Sequence, residues 1–357
     1  MQRVETFSLN KILNRMPKWI ERESKYLDVV LFSRILLFRN IEGYKFPETA
    51  KTLDMVGLSK SIFTILNKYN RGEEKFEYLY GMDMTDVEFA AIKEYLKFGD
   101  SLFRTERDKV GIAVNENLNL FVITNADNHL AFVINTREDQ LREGYSYVYD
   151  LEQFYENYFS YSFNGTFGYL TSSLDDTGTG LRIKFLLDLP GVVFKNKINF
   201  IKKLAAGLNM SIDEFPDYNY GESSFFILTN KITVGFAEDE IIRMAFNALK
   251  QIIDAEHRYR EDLFRSIKFK DKVIRNYAIF RNSLLIKDNE IYKIMSLLRM
   301  GVISGYIKDM TLVDISRIFN ELGRNYLRYI YNIKSSEAMT EVMRIRKEHV
   351  NKLMRYG

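Results

Sequence analysis

The sequence predicts a mixed α+β region up to about residue 260, followed by an all-α region. Residues 110–114 and 118–123 are short apolar runs joined by Asn-Glu-Asn, the pattern of a β-hairpin. Residues 225–235 give a second hairpin signal, with its bend at Asn-Lys. From residue 237 onward the apolar positions recur with helical spacing, and this continues to the C-terminus.

A strand is predicted at residues 181–185, directly after the Gly-Thr-Gly turn at 178–180. Because side chains alternate along a strand, Arg182 and Lys184 should share one face, with apolar residues on the other. Glycines let a backbone come close to a ligand, and two cations beside them suit an anion such as phosphate. The same turn is more often a purely structural hairpin or bulge, so both interpretations stay open.

The remaining elements follow from apolar spacing and turn residues. Residues 28–40 form a mostly apolar run, predicted to be a buried strand with its arginines at the polar ends. Residues 130–134 are a further apolar run. The helix at 85–98 should begin with a capping box between Thr85 and Glu88. The other helices before residue 237 are predicted at 8–23, 59–70, 148–160 and 197–209.

Composition excludes several classes of protein. The chain has 357 residues, 46% of them apolar and 28% charged, which is the balance of a globular protein with a sizeable core. A net charge of +3 gives no strong attraction to nucleic acid or membrane. Without cysteine there is no disulfide, thiolate nucleophile or Cys-ligated metal, and three scattered histidines do not indicate a zinc site. No apolar run reaches about 18 residues, so we expect a cytoplasmic protein.

Several stretches, in the same order along the chain, resemble the ATP:guanido phosphotransferases. The most specific is GYLTSSLDDTGTGLRIKFLLDLP at residues 168–190, which is similar to the family's GYLTSCPTNxGTG-[LI]-R segment. The resemblance covers roughly residues 26 to 350, and within the family it is closest to the bacterial protein arginine kinases. The other matching stretches are residues 29–40, 46–47, 125–130, 220–222, 230–235 and 299–305.

This resemblance implies a curved, mainly antiparallel sheet flanked by helices at residues 1–258. A helical domain with a dimerisation or regulatory role would follow at residues 259–357. The family transfers the γ-phosphoryl group of ATP, with Mg, to a guanidinium nitrogen. Such transfer depends on positioning and on neutralising phosphate charge, which the family achieves with five arginines. Carboxylates orient and deprotonate the guanidinium, whose pKa lies above about 12.

Carried over to this chain, the phosphate site is incomplete. Arg34 matches the first arginine of the family's cage and Arg182 the fourth. The other three arginine positions are occupied by Leu36, Ala131 and Asp217. Two unit charges about 5 Å apart at an effective dielectric constant near 20 interact by roughly 3 kcal/mol. Losing three cations and gaining one carboxylate could therefore remove on the order of 10 kcal/mol of phosphate stabilisation.

The other site positions of the family are partly retained in this chain. Glu222 matches the principal carboxylate, and Asp127 stands where a second glutamate belongs. Ser33 precedes the first arginine, and Lys184 could restore part of the lost charge, although without bidentate geometry. The surviving Glu222 and Arg182 also have a structural interpretation, an ion pair at a strand end, which is the more common role of such a pair. Among the substitutions, Tyr95 stands in place of a nucleotide-packing histidine, Ser173 in place of a cysteine, and residues 337–342 in place of a phosphoarginine-binding motif.

Two functional hypotheses follow. The first is a pseudokinase that keeps the fold and acts by binding, as a dimer or with an active arginine kinase, an adaptor or a Clp protease component. The second is an active kinase that phosphorylates arginine in proteins. It would use Glu222 and Asp127 on the guanidinium, and Arg34, Arg182 and Lys184 on the phosphates. Neither hypothesis requires a protein-bound metal site, nucleic acid or a membrane.

Overall fold

The computed structural model describes residues 5–69, 75–99, 102–215, 224–334 and 338–354. An eight-stranded sheet, in the order β2-β3-β4-β5-β1-β8-β10-β9, forms its centre, and every neighbouring pair is antiparallel. The predicted antiparallel sheet is therefore confirmed. The strands are β1 (Val30–Arg39), β2 (Phe76–Tyr80), β3 (Gly111–Asn115), β4 (Leu120–Thr124), β5 (Leu130–Thr136), β6 (Phe163–Asn164), β7 (Gly168–Tyr169), β8 (Leu181–Asp188), β9 (Met210–Glu214) and β10 (Phe225–Asn230).

Helices flank the sheet and make up the C-terminal part of the chain. Within the described ranges, no helix combines the length and the apolar composition that crossing a bilayer requires. The helices are α1 (Glu5–Leu13), α2 (Lys18–Glu21), α3 (Thr52–Leu66), α4 (Asp86–Tyr95), α5 (Leu141–Glu156), α6 (Pro190–Phe194), α7 (Ile198–Gly207), α8 (Glu238–Phe264), α9 (Ile267–Asn282), α10 (Asp288–Ile303), α11 (Leu312–Glu321), α12 (Arg324–Ile330) and α13 (Ala338–Leu353).

Both faces of the sheet are buried. Along β1, Ile35 and Leu37 point to the face that packs on α3, α5 and α8. Leu36 and Phe38 alternate to the opposite face, which is covered by apolar residues of α1, α4, α12 and α13. We call this second surface the site face, because the predicted phosphate ligands Arg34, Arg182 and Lys184 lie on it. Its cover comes in part from the C-terminal helices.

A buried ion pair ties the sheet to the C-terminal helices. Asp188, the last residue of β8, accepts a hydrogen bond of 3.0 Å from Nε of Arg299 on α10. Its other carboxylate oxygen accepts 2.7 Å bonds from the hydroxyls of Ser224 and Ser296. Arg299 also donates to the carbonyl of Leu27, and both side chains of the pair are 1% exposed. This pair is therefore a polar junction inside the core.

The single tryptophan lies near this junction. Trp19 on α2 contacts the ring of Phe32 on β1 edge-on, with a centroid distance of 5.3 Å. It belongs to a third apolar cluster, in which β1, β8 and β10 meet α9, α10 and α11. The indole is therefore packed where the sheet and the C-terminal helices join.

The predicted elements are largely confirmed, including the β3–β4 hairpin and the capping box. The Thr85 hydroxyl accepts from the Glu88 amide, and the Glu88 carboxylate accepts from the Thr85 amide at 2.7 Å. The predicted helix at 8–23 is instead two helices, because Pro17 interrupts the pattern between α1 and α2. Arg34 lies in the middle of the buried β1 strand and not at a polar end.

The predicted hairpin at 225–235 is wrong. Its first half is β10, but β10 pairs with β8 and β9, and the chain leaves the sheet after Asn230. The Thr233 hydroxyl donates to the carbonyl of Thr177 at 2.6 Å, which fastens the departing segment to the turn before β8. Ile232 and Val234, which gave the alternating pattern, are exposed on this segment.

Candidate functional site

Two neighbouring strands bring three predicted cations together on the site face. In the antiparallel pairing of β1 and β8, Arg34 lies opposite Lys184, and Leu36 lies opposite Arg182. On the other side of β1, Arg34 lies opposite Asn135 of β5. The alternation predicted for β8 is confirmed, because its intervening apolar residues enter the opposite core.

The guanidinium of Arg34 is held by the protein itself. It donates 2.7 Å hydrogen bonds to the side-chain oxygen of Asn135 and to the carbonyls of Leu96 and Lys97. It also lies 4.4 Å from the ring centre of Phe98, in cation–π geometry. The residue is 4% exposed, and this burial lowers the pKa of Arg34 to about 9. Arg34 is thus still charged at neutral pH, and its hydrogen-bonding capacity is largely used.

Arg182 is also engaged within the chain. Its Nε donates to Oδ1 of Asp176 at 2.7 Å, and its Nη2 lies 2.5 Å from the same oxygen. Its Nη1 donates to the carbonyl of Asn230 at 2.7 Å. Asp176 stands where the resembling family has an asparagine, so this chain supplies its own anion to the retained arginine. We call this pair the internal ion pair.

Lys184 lies opposite Arg34 in the strand pairing and two residues after Arg182 on the same face of β8. Burial lowers the pKa of Lys184 to about 8, and the positive charges of Arg34 and Arg182 contribute in the same direction. Asp176 opposes the shift, and a further arginine, Arg104, adds to it. The ammonium is therefore destabilised, and it loses its proton at lower pH than an exposed lysine would.

Replacing Lys184 with methionine should raise the free energy of unfolding at pH 7. The unfolded chain releases this proton near pH 10.5 and the folded chain near pH 8, so the folded state binds fewer protons in between. Wild-type stability therefore rises across that window as the buried charge is lost. The gain in free energy of unfolding from Lys184→Met should be complete below about pH 8 and disappear near pH 10.5. Urea unfolding at pH 7 and pH 10 measures this, and an equal advantage at both pH values would contradict it.

Apolar side chains fill the positions of the lost arginines. Leu36 and Ala131 are 1% and 2% exposed, and both belong to the apolar cluster of the site face. Phe98 and Phe121 pack in the same cluster, with ring centres 5.1 Å apart. A phosphate at these positions would meet a dry hydrocarbon surface. The third substituted position, Asp217, lies outside the described residues.

Asp127 is placed near a cation that the sequence did not indicate. Its Oδ2 lies 3.8 Å from Nη1 of Arg104, whose side chain is 57% exposed. Burial raises the pKa of Asp127; Arg104 opposes this shift, whereas Asp176 and Glu48 add to it. Arg104 belongs to no motif, and only the fold brings it here. The neighbouring Asn128 accepts a 2.8 Å bond from the amide of Ser172, which joins this loop to the 168–190 stretch.

Two other predicted residues, Ser33 and Tyr95, are not available to a ligand on the site face. Ser33 is adjacent to Arg34 on β1, so strand alternation directs it to the opposite face, where it is fully buried. Tyr95 stacks on Tyr326 with a centroid distance of 5.0 Å and is 1% exposed, which leaves it closed to a nucleotide. Glu222 lies outside the described residues. Among the residues that are described, no group of three His, Asp or Glu side chains could hold a metal ion.

The glycines before β8 serve close backbone packing. Gly178 and Gly180 have φ values of 118° and 68°, which other residues rarely adopt. A Cβ on Gly180 would lie 2.5 Å from the carbonyl oxygen of Phe38, and one on Gly178 would lie 2.8 Å from the backbone of Val234. The structure therefore supports the structural interpretation of this turn.

Comparison with known proteins identifies relatives along nearly the whole chain. Residues 57–259 match the family model of the ATP:guanido phosphotransferase C-terminal catalytic domain, and residues 266–352 match that of the protein-arginine kinase McsB C-terminal domain. A protein-arginine kinase of Clostridium acetobutylicum is 27% identical over 335 residues, covering 92% of this chain and 97% of the relative. A protein-arginine kinase of Bacillus cereus (strain AH187) is 31% identical over 317 residues, covering 85% and 87% respectively.

Solved structures with the same fold are guanidino kinases. A lombricine kinase aligns with a TM-score of 0.52 at 19% identity, covering 65% of this chain and 67% of that chain. The duplicated taurocyamine kinase from Schistosoma mansoni, with bound transition state analog components, aligns with a TM-score of 0.56 at 20% identity, covering 73% and 41%. The two family matches and the Bacillus cereus relative show that the chain belongs to the ATP:guanido phosphotransferase family, in the group of protein-arginine kinases.

Proposed function

We propose that this chain is a catalytically inactive member of the protein-arginine kinase family, which acts by binding another protein. The observation that carries the proposal is that both retained arginines are already engaged. Arg34 is bonded to Asn135 and to two main-chain carbonyls, and Arg182 is paired with Asp176. The family implies ATP with Mg, but the described residues do not fit a bound triphosphate.

The free-energy cost of binding a phosphate to Arg182 can be estimated from the internal ion pair. Two unit charges about 4 Å apart at an effective dielectric constant near 20 attract by about 4 kcal/mol. A phosphate that binds Arg182 must replace this attraction and also withstand the negative charge of Asp176. Since each 1.4 kcal/mol changes affinity about tenfold, even half of this value weakens nucleotide binding by more than an order of magnitude.

A protein partner is supported by apolar surface close to the 168–190 stretch. Phe163 and Phe167, in and beside the β6–β7 ribbon, are 61% and 56% exposed, and Leu174 is 91% exposed. A contiguous patch of exposed apolar side chains commonly marks an interaction surface, and we propose that these three residues form such a patch. A second copy of the chain, an active arginine kinase, an adaptor or a Clp protease component would each be a suitable partner, and we propose a cytoplasmic setting.

Calorimetry and mass spectrometry test the proposal together. We expect no heat of binding with Mg-ADP up to millimolar concentration, and no phosphoarginine after incubation with Mg-ATP and an arginine-rich protein. The Bacillus cereus relative, assayed in parallel, is the positive control. Micromolar nucleotide binding, together with a phosphoarginine product that disappears in Glu222→Gln, would overturn the inactive assignment.

One observation favours the second candidate, an active protein-arginine kinase. The largely exposed Arg104 lies beside Asp127 and near Lys184, so it could supply one of the missing positive charges. In that case Glu222 and Asp127 would act on the guanidinium, and Arg34, Arg182 and Lys184 on the phosphates. This candidate predicts that Arg104→Met abolishes a phosphoarginine signal that the wild-type chain produces.

A further inference from the structure

A short piece of chain joins Arg34 to the C-terminal helices. Residues 94–97, which we call the connecting segment, end helix α4 and continue to the following turn. Two of its carbonyls, those of Leu96 and Lys97, accept the 2.7 Å hydrogen bonds from the Arg34 guanidinium. The orientation of Arg34 therefore depends on where the connecting segment lies.

Lys97 fastens this segment to helix α11. Its Nζ donates to the carbonyls of Phe319 and Asn320 at 3.3 and 3.1 Å, and the residue is 4% exposed. The Lys97 ammonium lies at the negative end of the α11 dipole. It donates to carbonyls of the last turn, which have no acceptor role within the helix. Lys97 also has a φ of 57°, a left-handed conformation uncommon for residues other than glycine. Its backbone is thus held by the contacts around it.

Glu94 fastens the same segment to helix α12. One carboxylate oxygen accepts from the amides of Asn325 and Tyr326 at 2.7 and 2.9 Å, and the other accepts from the Asn325 side chain at 2.9 Å. These are the first amides of α12, which have no partner within the helix. Tyr95, between the two anchors, stacks on Tyr326. Both ends of the connecting segment are therefore bonded to the C-terminal helices.

We infer that helices α11 and α12 act as a clamp. By holding the connecting segment in place, they keep the Arg34 guanidinium hydrogen-bonded to the carbonyls of Leu96 and Lys97. Release of these helices removes the support of Leu96 and Lys97 and frees the guanidinium from its main-chain partners on the site face. Because coupling between two sites is reciprocal, a substitution at Arg34 that breaks its bonds to Leu96 and Lys97 should loosen the helices. A partner bound to the C-terminal helices would thereby change the site face. This inference does not depend on whether the chain uses ATP.

Arginine modification in the full chain tests the clamp directly. Phenylglyoxal labelling with peptide mass spectrometry reports the reactivity of each arginine. In the wild type, Arg34 should react as slowly as Arg137, which is fully buried, and far more slowly than the exposed Arg104. Lys97→Met and Glu94→Met, made separately, should each raise the rate at Arg34 at least tenfold and leave Arg137 unchanged. Glu341→Gln, on the exposed surface of α13, should change neither.

The reciprocal variant gives a second, independent measurement. Arg34→Lys should speed amide hydrogen exchange in α12 several-fold and leave α8 unaffected, since a lysine cannot make the same bonds to two carbonyls and Asn135. An unchanged rate at Arg34 in both clamp variants would overturn the inference. An equal rise at Arg137, which signals general loosening, would also overturn it, and so would unchanged exchange in α12.

Discussion

Replacing Asp176 with asparagine should strengthen Mg-ADP binding about tenfold over the wild-type affinity, which we expect to be weaker than millimolar. The substitution removes the carboxylate of the internal ion pair, keeps the shape of the side chain, and leaves the Arg182 guanidinium available to a phosphate. Recovering about a third of a 4 kcal/mol attraction corresponds to a tenfold gain in affinity. Isothermal titration calorimetry of both proteins at the same salt concentration measures the change.

Asp175→Asn is the matched control for this experiment. Asp175 belongs to the same short helical turn as Asp176, but it is exposed and carries the same formal charge. A general loss of negative charge would strengthen nucleotide binding in both variants. The explanation by the internal ion pair requires a gain in Asp176→Asn alone, and equal behaviour of the two variants would refute it.

Replacing Arg299 with methionine should lower the free energy of unfolding by about 3 to 5 kcal/mol, the largest stability loss that we predict. The variant leaves Asp188 charged in the core, and the hydroxyls of Ser224 and Ser296 are then its remaining side-chain donors among the described residues. The Leu27 carbonyl also loses its donor. The cost arises mainly from the unpaired buried carboxylate, and chemical denaturation at pH 7 measures it.

Arg275→Met removes an ion pair of the same chemical type from the surface. Arg275 pairs with Asp271 one helical turn away on α9, and their side chains are 75% and 57% exposed. Exposed pairs contribute about 0 to 1 kcal/mol, so this control should change stability very little. If Arg299→Met proved as mild as Arg275→Met, the junction between sheet and C-terminal helices would not depend on the buried pair.

Much of the fold could be predicted because it depends on local patterns. The alternation in β8, the hairpin formed by β3 and β4, and the Thr85–Glu88 capping box are set by residues close in sequence. The prediction of the second hairpin failed because Ile232 and Val234 alternate like strand residues, although they are exposed on a loop that leaves the sheet. Alternation alone does not distinguish a strand from such a loop.

The site was harder to predict, because its decisive contacts involve main-chain atoms and distant residues. The carbonyls that hold Arg34 come from residues more than 60 positions away, and no side-chain pattern records a carbonyl acceptor. Asp176 could be recognised as a substituted position, but its pairing with Arg182 required coordinates. Arg104 lies in a loop outside every motif, so its approach to Asp127 had no sequence signal.

The position of Trp19 gives the protein an intrinsic optical reporter. Since the chain has one tryptophan, fluorescence excited selectively at the indole comes from a single place, beside Phe32 and against the C-terminal helices. Water reaching the indole would shift the emission to longer wavelength. Separation of the helices from the sheet could thus be followed in real time, without any attached dye, while a candidate partner is added.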